Sequence, residues 1–560
     1  MKKLYPVFGL LFILQQSIIA QILQPAPYYK HGVVVCAQPE AAKVGVAILK
    51  KGGNAVDAAV AVQFALAVVY PVAGNIGGGG FMVYRSGKGK TATLDFREKA
   101  PKLASRDMYL DSAGNPITKM SIYGHMAVGV PGSVAGMVKA HTRYGKLSWR
   151  KVIQPALDLA AKGYVLSARQ AAEFNRNKAT FLKYNPLGTA LVKDIAWKEG
   201  DTLVQPELAR TLKRIRDHGR YGFYNGPVAD SLVKEMNRGQ GIVTKRDLKN
   251  YQAVWRKPVT GKYKGYGIIT MPPPSSGGIC LVQLLHSVAP YPLGRWGFNA
   301  DSTVQLIVEA ERRVYADRSK YLGDPDFYKV PGKTMLSIAY QKKRMSTFTW
   351  DKATPSIEVA PGIIPGREDE ETTHFSIVDK HGNAVAITTT LNNSYGSFVF
   401  VKGAGFLLND EMDDFSAKAG SPNMYGLIGG KANAIAPNKR MLSAMTPTIL
   451  TKHGKLFMVV GTPGGSTIIT SVFQTILNVV DFKKSIQDAV TVPRFHSQWL
   501  PDQVDVEKTA LTDQAKQILT QKGYKISPRG SIGRVDAILK TKKGYQGGAD
   551  PRGEDVSMGY

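Results

Sequence analysis

The sequence predicts a mixed α/β fold of the α+β type, because helical patterns dominate the first two thirds of the chain and strand patterns the last third. Residues 41–51 and 55–69 have helical character, and the stretch 129–351 is mostly helical in its pattern. From position 372 onward the chain becomes rich in strand-like segments, beginning with 372–379 and 384–391.

The first twenty residues are typical of a secretory signal. Lys2 and Lys3 supply positive charge, residues 7–19 are largely apolar, and Ala20 offers a small residue for cleavage before Gln21. The apolar run is short for a membrane span, and no later stretch is long and apolar enough. We therefore expect an exported protein, periplasmic or secreted, without stable membrane insertion; an uncleaved signal anchor is the alternative.

Composition indicates a globular protein. Hydrophobic residues make up 44% of the 560 residues and charged residues 21%. A mature chain of about 540 residues would suggest three or four domains from its length alone. The formal net charge is +30, but the lysines and arginines are scattered and no recognition motif accompanies them. This balance points to a basic surface facing anionic envelope components, or to solubility, and not to nucleic-acid binding.

The chain has two cysteines, Cys36 and Cys280, which excludes a disulfide framework or a cysteine-rich metal site. They could pair in an oxidising compartment, or remain as two buried free thiols. The nine histidines show no metal-ligand spacing, and no Gly-x-Ser-x-Gly motif occurs. The sequence therefore predicts no metal and no organic cofactor. We expect His374 to be a packed strand histidine.

Near the N-terminus, Asn54 is predicted to cap the second helix, with Asp57 three residues further on. Residues 55–69 are apolar on nearly all faces of a helix, which indicates burial between layers, and Pro71 ends it. The glycine-rich run 74–80 lets backbone approach backbone or a ligand closely. It lacks the features of a phosphate-binding loop.

The middle of the chain contains predicted helices and two interruptions. The clearest helical segments are 149–162, 207–217 and 303–321, and the interruptions are 272–278 and the proline- and acid-rich span 355–371. The second interruption is the best linker candidate. Further on, the strand 456–460 ends in a Gly-Thr-Pro-Gly-Gly-Ser turn before an apolar helix, 467–480.

Residues 372–379 and 384–391 are predicted to form a hairpin around 380–383. A plain two-residue loop would set Leu391 opposite Thr372, whereas a one-residue bulge would bring Thr390 or Asn392 onto the face of Thr372. The sequence leaves this register open.

The pair Thr372-Thr373 follows an acidic, loop-like run that ends at Glu371. A threonine hydroxyl is a poor nucleophile unless a base lies beside it, and a chain-terminal threonine can use its own α-amine. That chemistry at Thr372 requires cleavage after Glu371. The alternative is that both threonines are ordinary residues at the start of a strand.

Several strings in this order closely resemble the γ-glutamyltransferases over essentially the whole mature chain: 52–59, 94–98, 271–278, 372–392, 412–416, 464–465 and 549–552. The resemblance implies an N-terminal-nucleophile hydrolase fold, a four-layer αββα sandwich. It also implies a precursor that cuts itself after a signal peptide (1–20) into a large subunit (21–371) and a small subunit (372–560). The two subunits would form a heterodimer within one αββα unit.

The resemblance also implies catalytic roles. Thr372 would be the nucleophile, Thr390 would orient its hydroxyl, and the backbone amides of Gly464 and Gly465 would form the oxyanion hole. Taken alone, Thr390 fits an ordinary strand residue. A Pro-Gly-Gly sequence likewise fits a turn without a ligand.

The substrate implied by the resemblance is a γ-glutamyl amide such as glutathione. Arg97 would bind its α-carboxylate, or would pair locally with Asp95 or Glu98. The remaining positions implied are Asn392, Glu411 and Asp414 at the α-ammonium, Ser443 and Ala444 at the α-carboxylate, and Tyr425 in a lid over 419–430. Glu411 and Asp414 could instead be a solvated turn, and the lid a plain surface loop. Ala444 departs from the family, which usually has a second serine there.

The resemblance favours one function over two alternatives. The favoured function is a γ-glutamyl transferase and hydrolase that works through an ester on Thr372. The second is a glutaryl or cephalosporin-type acylase of the same fold, whose substrates lack the α-ammonium that Glu411 and Asp414 would bind. The third is an uncleaved export protein that only binds γ-glutamyl peptides.

Overall fold

A computed structural model describes residues 26–117, 119–359, 373–418, 423–424 and 426–560. The predicted signal peptide, the junction Glu371–Thr372 and Tyr425 lie outside these residues. Most of the predicted linker, 360–371, also lies outside them.

The helices of the described residues are numbered here in chain order. They are α1 Pro39–Lys50, α2 Ala55–Val69, α3 Ser133–Tyr144, α4 Trp149–Lys162, α5 Ala168–Tyr184, α6 Pro206–His218, α7 Tyr221–Tyr224, α8 Gly226–Arg238, α9 Lys245–Asn250, α10 Gly277–Val288, α11 Leu293–Trp296, α12 Asp301–Tyr321, α13 Gly332–Met335, α14 Ile338–Met345, α15 Thr467–Val480, α16 Ile486–Thr491 and α17 Asp513–Gln521. Short 3₁₀ turns lie at His125–Ala127, Ser356–Val359, Glu411–Asp414 and Lys431–Asn433.

The strands are β1 Tyr28–Tyr29, β2 Val33–Cys36, β3 Gly79–Arg85, β4 Thr91–Asp95, β5 Tyr164–Val165, β6 Thr202–Leu203, β7 Val254–Arg256, β8 Val259–Tyr263, β9 Tyr266–Thr270, β10 Thr373–Val378, β11 Ala384–Thr390, β12 Thr448–Lys452, β13 Lys455–Gly461, β14 Phe495–His496, β15 Val504–Val506, β16 Ile526–Pro528, β17 Asp536–Thr541, β18 Gly544–Gly548 and β19 Val556–Gly559. Within the described ranges, fourteen of them form two seven-stranded sheets, in the orders β1-β18-β17-β13-β12-β9-β8 and β19-β2-β10-β11-β3-β4-β7. The other five form a three-stranded sheet, β14-β15-β16, and a two-stranded sheet, β5-β6.

The two large sheets pack face to face between two helical layers. An apolar core that includes Val35 and Val83 from one sheet and Ile449 and Ile538 from the other fills the space between them. A second core joins the β10-containing sheet to the early helices, and a third joins the other sheet to α10, α12 and α15. The predicted αββα fold class is therefore confirmed, and strands from both ends of the chain meet in each sheet.

The helix α2 lies where its composition predicts, inside the second core. All of its residues are buried, and a capping box begins it. The Asn54 side chain accepts hydrogen bonds from the amides of Val56 (2.9 Å) and Asp57 (3.0 Å), and the Asp57 carboxylate accepts one from the Asn54 amide (2.9 Å). The predicted cap is confirmed.

The glycine run before β3 brings two backbones together. A Cβ atom at Gly78 would lie 2.0 Å from the carbonyl oxygen of Thr390, and one at Gly80 would lie 2.4 Å from that of Thr388. No side chain fits at such distances, so the glycines allow β3 to pack closely against β11. This contact fixes the end of the strand that carries Thr390.

The β10–β11 hairpin resolves the register that the sequence left open. Thr373 pairs with Thr389 and Val378 pairs with Ala384, so the pairing is shifted by one residue from that of a plain two-residue loop at 381–382. The Asp379 amide donates to the Asn383 carbonyl (3.1 Å), which closes a three-residue loop. The pairs from Thr373–Thr389 to Val378–Ala384 follow one another without a break, so the shift arises from the three-residue loop and not from a bulge inside the paired strands.

The predicted helices of the middle region are confirmed as α4, α6 and α12. The sequence prediction missed the strands of this region: β5, β6, β7, β8 and β9 lie within the stretch described as mostly helical. A two-residue turn joins β8 to β9, with Lys264 and Gly265 at φ 44° and 86°. The polar edge strand β8, which is exposed at alternate positions, weakens the apolar signal of this hairpin.

Candidate active site

One cleft gathers most of the predicted site residues. It encloses about 270 Å³, part of it open to solvent, and its walls are Arg97, Thr390, Asn392, Glu411, Asp414, Leu427, Ser443, Ala444, Met445, Gly465 and Ile468. Gly464 is the residue before Gly465 in the chain and so lies next to this wall. These residues come from segments up to several hundred positions apart, so the fold brings them together. Thr372 and Tyr425 lie outside the described residues.

Arg97 lies just after β4 and is fully buried. Its guanidinium forms ion pairs with Glu411 and Asp414, and Glu98 lies 3.6 Å away. Burial opposes its charge, but Glu411, Asp414 and Glu98 raise the pKa of Arg97 above its usual value. The guanidinium therefore stays charged, and its partners are the acids across the cleft as well as its neighbour Glu98.

Asp95, the other local partner considered for Arg97, has different contacts. Its carboxylate accepts from the Arg97 backbone amide (3.0 Å) and pairs with the guanidinium groups of Arg256 (2.7 Å) and Arg440 (3.2 Å). The local ion pair of Arg97 with Asp95 is therefore not formed.

Glu411 and Asp414 begin and end one 3₁₀ turn, which puts both carboxyls on the same side. Burial raises the pKa of Glu411 to about 7 despite the Arg97 charge. Burial also raises the pKa of Asp414, while Arg97 opposes the shift. A cation and two acids thus share one cleft, and this arrangement can hold a ligand that carries a carboxylate and an ammonium on neighbouring atoms.

Thr390 ends β11, and Asn392 follows it in a left-handed backbone conformation with φ 80°. The Asn392 amide donates to Thr390 Oγ1 (2.7 Å), and its side chain donates to the Asp410 carbonyl (3.1 Å). The Asn75 side chain donates to the Thr390 carbonyl (2.9 Å). These bonds hold the Thr390 hydroxyl and the Asn392 side chain at the cleft.

Gly464 and Gly465 form the turn between β13 and α15, with φ 134° and 51°. Both values lie in the region that favours glycine. The Thr467 amide (2.9 Å) and hydroxyl (2.8 Å) donate to the Gly464 carbonyl. The turn therefore leads into the N-terminus of α15, where backbone N–H groups can stabilise a developing negative charge.

Two residues that sequence reasoning missed, Tyr315 and His496, contact the residues just after this turn. The Tyr315 hydroxyl donates to the Ser466 carbonyl, and the His496 ring lies 3.5 Å from Ser466 Oγ and 2.8 Å from Thr470 Oγ1. Burial lowers the pKa of His496 to about 4, so its ring is neutral near neutral pH. No local sequence motif marks Tyr315 or His496, because their contacts with the turn are long-range.

Ser443 is anchored by the proline- and serine-rich segment 272–278. Its amide donates to the Pro274 carbonyl (3.0 Å), and the amide (2.7 Å) and hydroxyl (2.6 Å) of Ser276 donate to its carbonyl. Ser443 Oγ accepts from the Met445 amide (3.2 Å). Ala444 contributes its methyl group and backbone to the cleft wall.

The segment predicted as a lid touches the acids of the site in its described part. The Asn423 side chain donates to Asp414 (3.0 Å), and the Met424 amide donates to Asp413 (2.9 Å). Leu427 lines the cleft. The described part of the segment thus covers the Asp414 side of the cleft.

Other predictions concern residues away from the cleft wall. His374 is buried between Thr388 Oγ1 (2.9 Å) and Ser376 Oγ (3.0 Å), and burial lowers its pKa to about 3; its interpretation as a packed strand histidine is confirmed. Cys36 and Cys280 are both buried free thiols.

Across the described ranges, no group of three or more histidines, cysteines and acids could hold a metal ion. No helix in the same ranges combines the length and the apolar character needed to cross a bilayer.

Comparison with known proteins decides the family. The family model described as gamma-glutamyltranspeptidase matches residues 41–560. The chain belongs to the γ-glutamyltranspeptidase family. It is 47% identical over 539 residues to the glutathione hydrolase proenzyme of Escherichia coli K12, a match that covers 95% of this chain and 92% of the relative.

Solved structures of the family and of its acylase relatives share the fold. The Helicobacter pylori gamma-glutamyltranspeptidase is 46% identical, with a TM-score of 0.57 over 58% of this chain and 94% of that chain. The cephalosporin acylase of Bacillus halodurans is 26% identical, with a TM-score of 0.85 over 100% of this chain and 98% of that chain.

Proposed function

We propose that this enzyme cleaves the γ-glutamyl amide bond of glutathione and related compounds and transfers the γ-glutamyl group to water or to the amine of an amino acid or peptide. The observation that carries the proposal is the cleft in which buried Arg97 faces Glu411 and Asp414, beside Thr390 and Gly465. Its paired charges match the α-carboxylate and α-ammonium of a γ-glutamyl group.

In the proposed complex, the substrate α-carboxylate binds Arg97 and the polar groups around Ser443 and Ala444. The α-ammonium binds Glu411, Asp414 and the Asn392 side chain. The ligand carboxylate then replaces some of the contacts that the Arg97 guanidinium makes with the two acids. The ligand ammonium supplies the positive charge that those acids lose. Tyr425 is proposed to close the lid over the bound group.

Thr372 is the proposed nucleophile, freed by self-cleavage after Glu371. The described register of β10 and β11 sets Thr373 opposite Thr389, and Thr390 is the last residue of β11. We propose that the Thr390 hydroxyl orients the nucleophile, while the new α-amine of Thr372 accepts its proton. The name of the Escherichia coli relative, a proenzyme, supports a processed precursor.

The reaction has two balanced halves. Thr372 Oγ attacks the γ-carbonyl carbon and passes its proton to the α-amine, while the amides of Gly464 and Gly465 stabilise the oxyanion. The C–N bond then breaks, the proton moves to the leaving amine, and a γ-glutamyl ester of Thr372 remains. Water or an acceptor amine attacks this ester, and Thr372 Oγ recovers a proton as the product leaves.

The proposed maturation and location follow the same reasoning. Residues 1–20 would be removed on export to the periplasm or the medium, and residues 21–371 and 372–560 would stay together as a heterodimer. The Helicobacter pylori chain supports the division, because nearly all of that chain matches 58% of this one, about the share of a large subunit.

A second candidate is a glutaryl or cephalosporin-type acylase, favoured by the close structural match to the Bacillus halodurans enzyme. Such substrates carry no α-ammonium, so they would leave Glu411 and Asp414 without a cationic ligand in a buried cleft. The higher identity to the glutathione hydrolase proenzyme also favours the γ-glutamyl reaction.

Turnover of matched anilides tests the proposal. γ-Glutamyl and glutaryl anilides differ only in the α-ammonium, so their kcat/KM ratio reports its recognition. We expect the γ-glutamyl anilide to be preferred by at least about 100-fold, since losing one charged partner in a buried site costs about 3 kcal/mol. A preference for the glutaryl anilide would favour the acylase. Products formed with and without a dipeptide would separate transfer from hydrolysis.

A further inference from the structure

Two carboxyl groups outside the cleft are buried against each other. Asp536 begins β17 and is fully buried, and Asp555 directly precedes β19 with its side chain 1% exposed. No nitrogen or hydroxyl donor in the described part of the chain hydrogen-bonds either oxygen of Asp536. The oxygens of Asp555 likewise have no hydrogen-bond donor there, and Asp555 raises the pKa of Asp536. Two ionised carboxylates can only accept, so a hydrogen bond between them would require one proton.

The charged groups around the two carboxyls either contact Asp555 or form ion pairs with other residues. The Arg534 guanidinium lies 3.0 Å from Asp555. Asp550 pairs with Arg494 (2.6 Å) and Arg552 (2.9 Å). The buried thiol of Cys36 on β2 also lies near both carboxyls. One cation thus faces two carboxyls, which leaves a surplus of acid that a shared proton neutralises.

The pair lies where three parts of the catalytic apparatus meet. Asp536 pairs with Gly461, three residues before Gly464. Its carbonyl accepts from the Ser376 hydroxyl on β10 (3.2 Å). The amide of Arg534, the residue that contacts Asp555, donates to Thr462 Oγ1 (2.7 Å).

The C-terminal strand completes the connection. β19, which follows Asp555, pairs with β2, and β2 pairs with β10. The contact between Asp536 and Asp555 therefore ties the C-terminal strand to the strand that leads into the Gly464–Gly465 turn.

We propose that Asp536 and Asp555 share one proton and act as positioning residues for the Gly464–Gly465 turn. When the proton is present, the two carboxyls hold β19, Arg534 and Thr462 in place. When it leaves, two like charges repel each other in a buried site, and the displacement passes through Arg534 and Thr462 to the oxyanion turn. The effect on turnover rests on the proposed function, whereas the shared proton does not.

The direction of the pH effect follows from the surroundings. Burial and then Asp555 raise the pKa of Asp536 well above its usual value, and burial raises that of Asp555 to about 6 although Arg534 opposes this. The two carboxyls titrate as a pair, which keeps one proton at neutral pH and loses it as the pH rises. Activity is therefore expected to fall on the alkaline side.

The test uses the processed enzyme and the variants Asp536→Asn, Asp555→Asn and Asp536→Ala. An asparagine can donate to the remaining carboxylate without a titrating proton, so each amide variant should keep kcat within about threefold at neutral pH and lose the alkaline fall. Asp536→Ala removes the contact and should lower kcat about tenfold or more. Asp317→Asn serves as a control, since this buried acid contacts Arg344 in the outer helical layer. It should keep the wild-type pH profile.

A second readout is independent of catalysis. The infrared carbonyl band of a protonated carboxylic acid should be present in the wild type at neutral pH and weaker in Asp536→Asn, measured on precursor if the variants do not mature. An unchanged band in both amide variants would overturn the shared proton. An alkaline fall identical in wild type and amide variants would overturn the positioning role. If the wild type turns over no γ-glutamyl anilide, the proposed function fails and the infrared result still decides on the pair.

Discussion

Arg97 and Arg494 are both fully buried arginines that contact carboxylates, yet their surroundings differ. Arg494 binds Asp550 (2.6 Å) and donates to the carbonyls of Ile532 (2.7 Å) and Val490. Burial lowers the pKa of Arg494, whereas the acids around Arg97 raise the pKa of Arg97. The Arg494 guanidinium thus bonds largely to backbone carbonyls, whereas the Arg97 guanidinium bonds largely to carboxylates at a cleft wall.

The acids show the same contrast. Arg494 and Arg552 hold the pKa of Asp550 below its usual value against the effect of burial. Burial raises the pKa of Glu411 to about 7 although Arg97 opposes it. A structural ion pair is balanced inside the protein. In the Arg97 cluster, three acids (Glu98, Glu411 and Asp414) surround one guanidinium, and of these acids Asp414 is also stabilised by a second cation, Arg318. Such an imbalance at a cleft is what a charged ligand can correct.

The largest effect is expected for Arg97→Lys. An ammonium cannot bind a carboxylate in the forked geometry of a guanidinium, so kcat/KM for a γ-glutamyl anilide should fall about 100-fold or more. Lysine keeps the positive charge that Glu411 and Asp414 face in this buried position, so the thermal midpoint should fall less than in a variant that removes the charge. Steady-state kinetics with calorimetry measures both, and a variant with unchanged kcat/KM would remove Arg97 from the site.

Arg494→Lys tests the second arginine of the comparison, for which we expect a loss of stability and not of substrate binding. Loss of the guanidinium leaves Asp550 and the carbonyls partly unpaired, which should lower the free energy of unfolding by about 3 kcal/mol. KM should stay within about twofold of the wild type. Calorimetry and kinetics on the same preparation test this, and a large rise in KM at unchanged stability would contradict the division of roles.

The charge surplus at Arg97 also predicts a pH dependence. Glu411 has its pKa raised to about 7, so it is protonated below that pH and attracts the α-ammonium less. At pH 6 about one tenth would be ionised, and KM should rise up to about tenfold as pH falls from 8 to 6. Glu411→Gln should flatten this dependence, and a KM that falls toward acid pH would contradict the sign.

The smallest effect is expected for Tyr315→Phe. It removes one hydrogen bond to the Ser466 carbonyl below the oxyanion turn, so kcat should fall about fivefold with little change in KM. Tyr263→Phe is a matched control, because its hydroxyl bonds Asp481 (2.8 Å) far from the turn. Equal losses of kcat in the two variants would argue against a positioning role for Tyr315.

The sequence anticipated much of this fold and most of the cleft. Capping at Asn54 and the helix α2 followed from local patterns, and the cleft residues followed from family strings. The hairpin register did not, because a shift of one residue depends on the turn geometry and on strands brought in from elsewhere. Tyr315 and Asp536 were missed for a similar reason: their partners lie far away in the chain, and no local pattern marks them.

N-terminal sequencing of purified, active protein tests the central claim, which is that Thr372 becomes a chain terminus. We predict a fragment that begins Thr-Thr-His-Phe-Ser in the wild type, and a single uncut, inactive chain in Thr372→Ala. Full activity in a preparation that contains no chain beginning at position 372 would contradict the account.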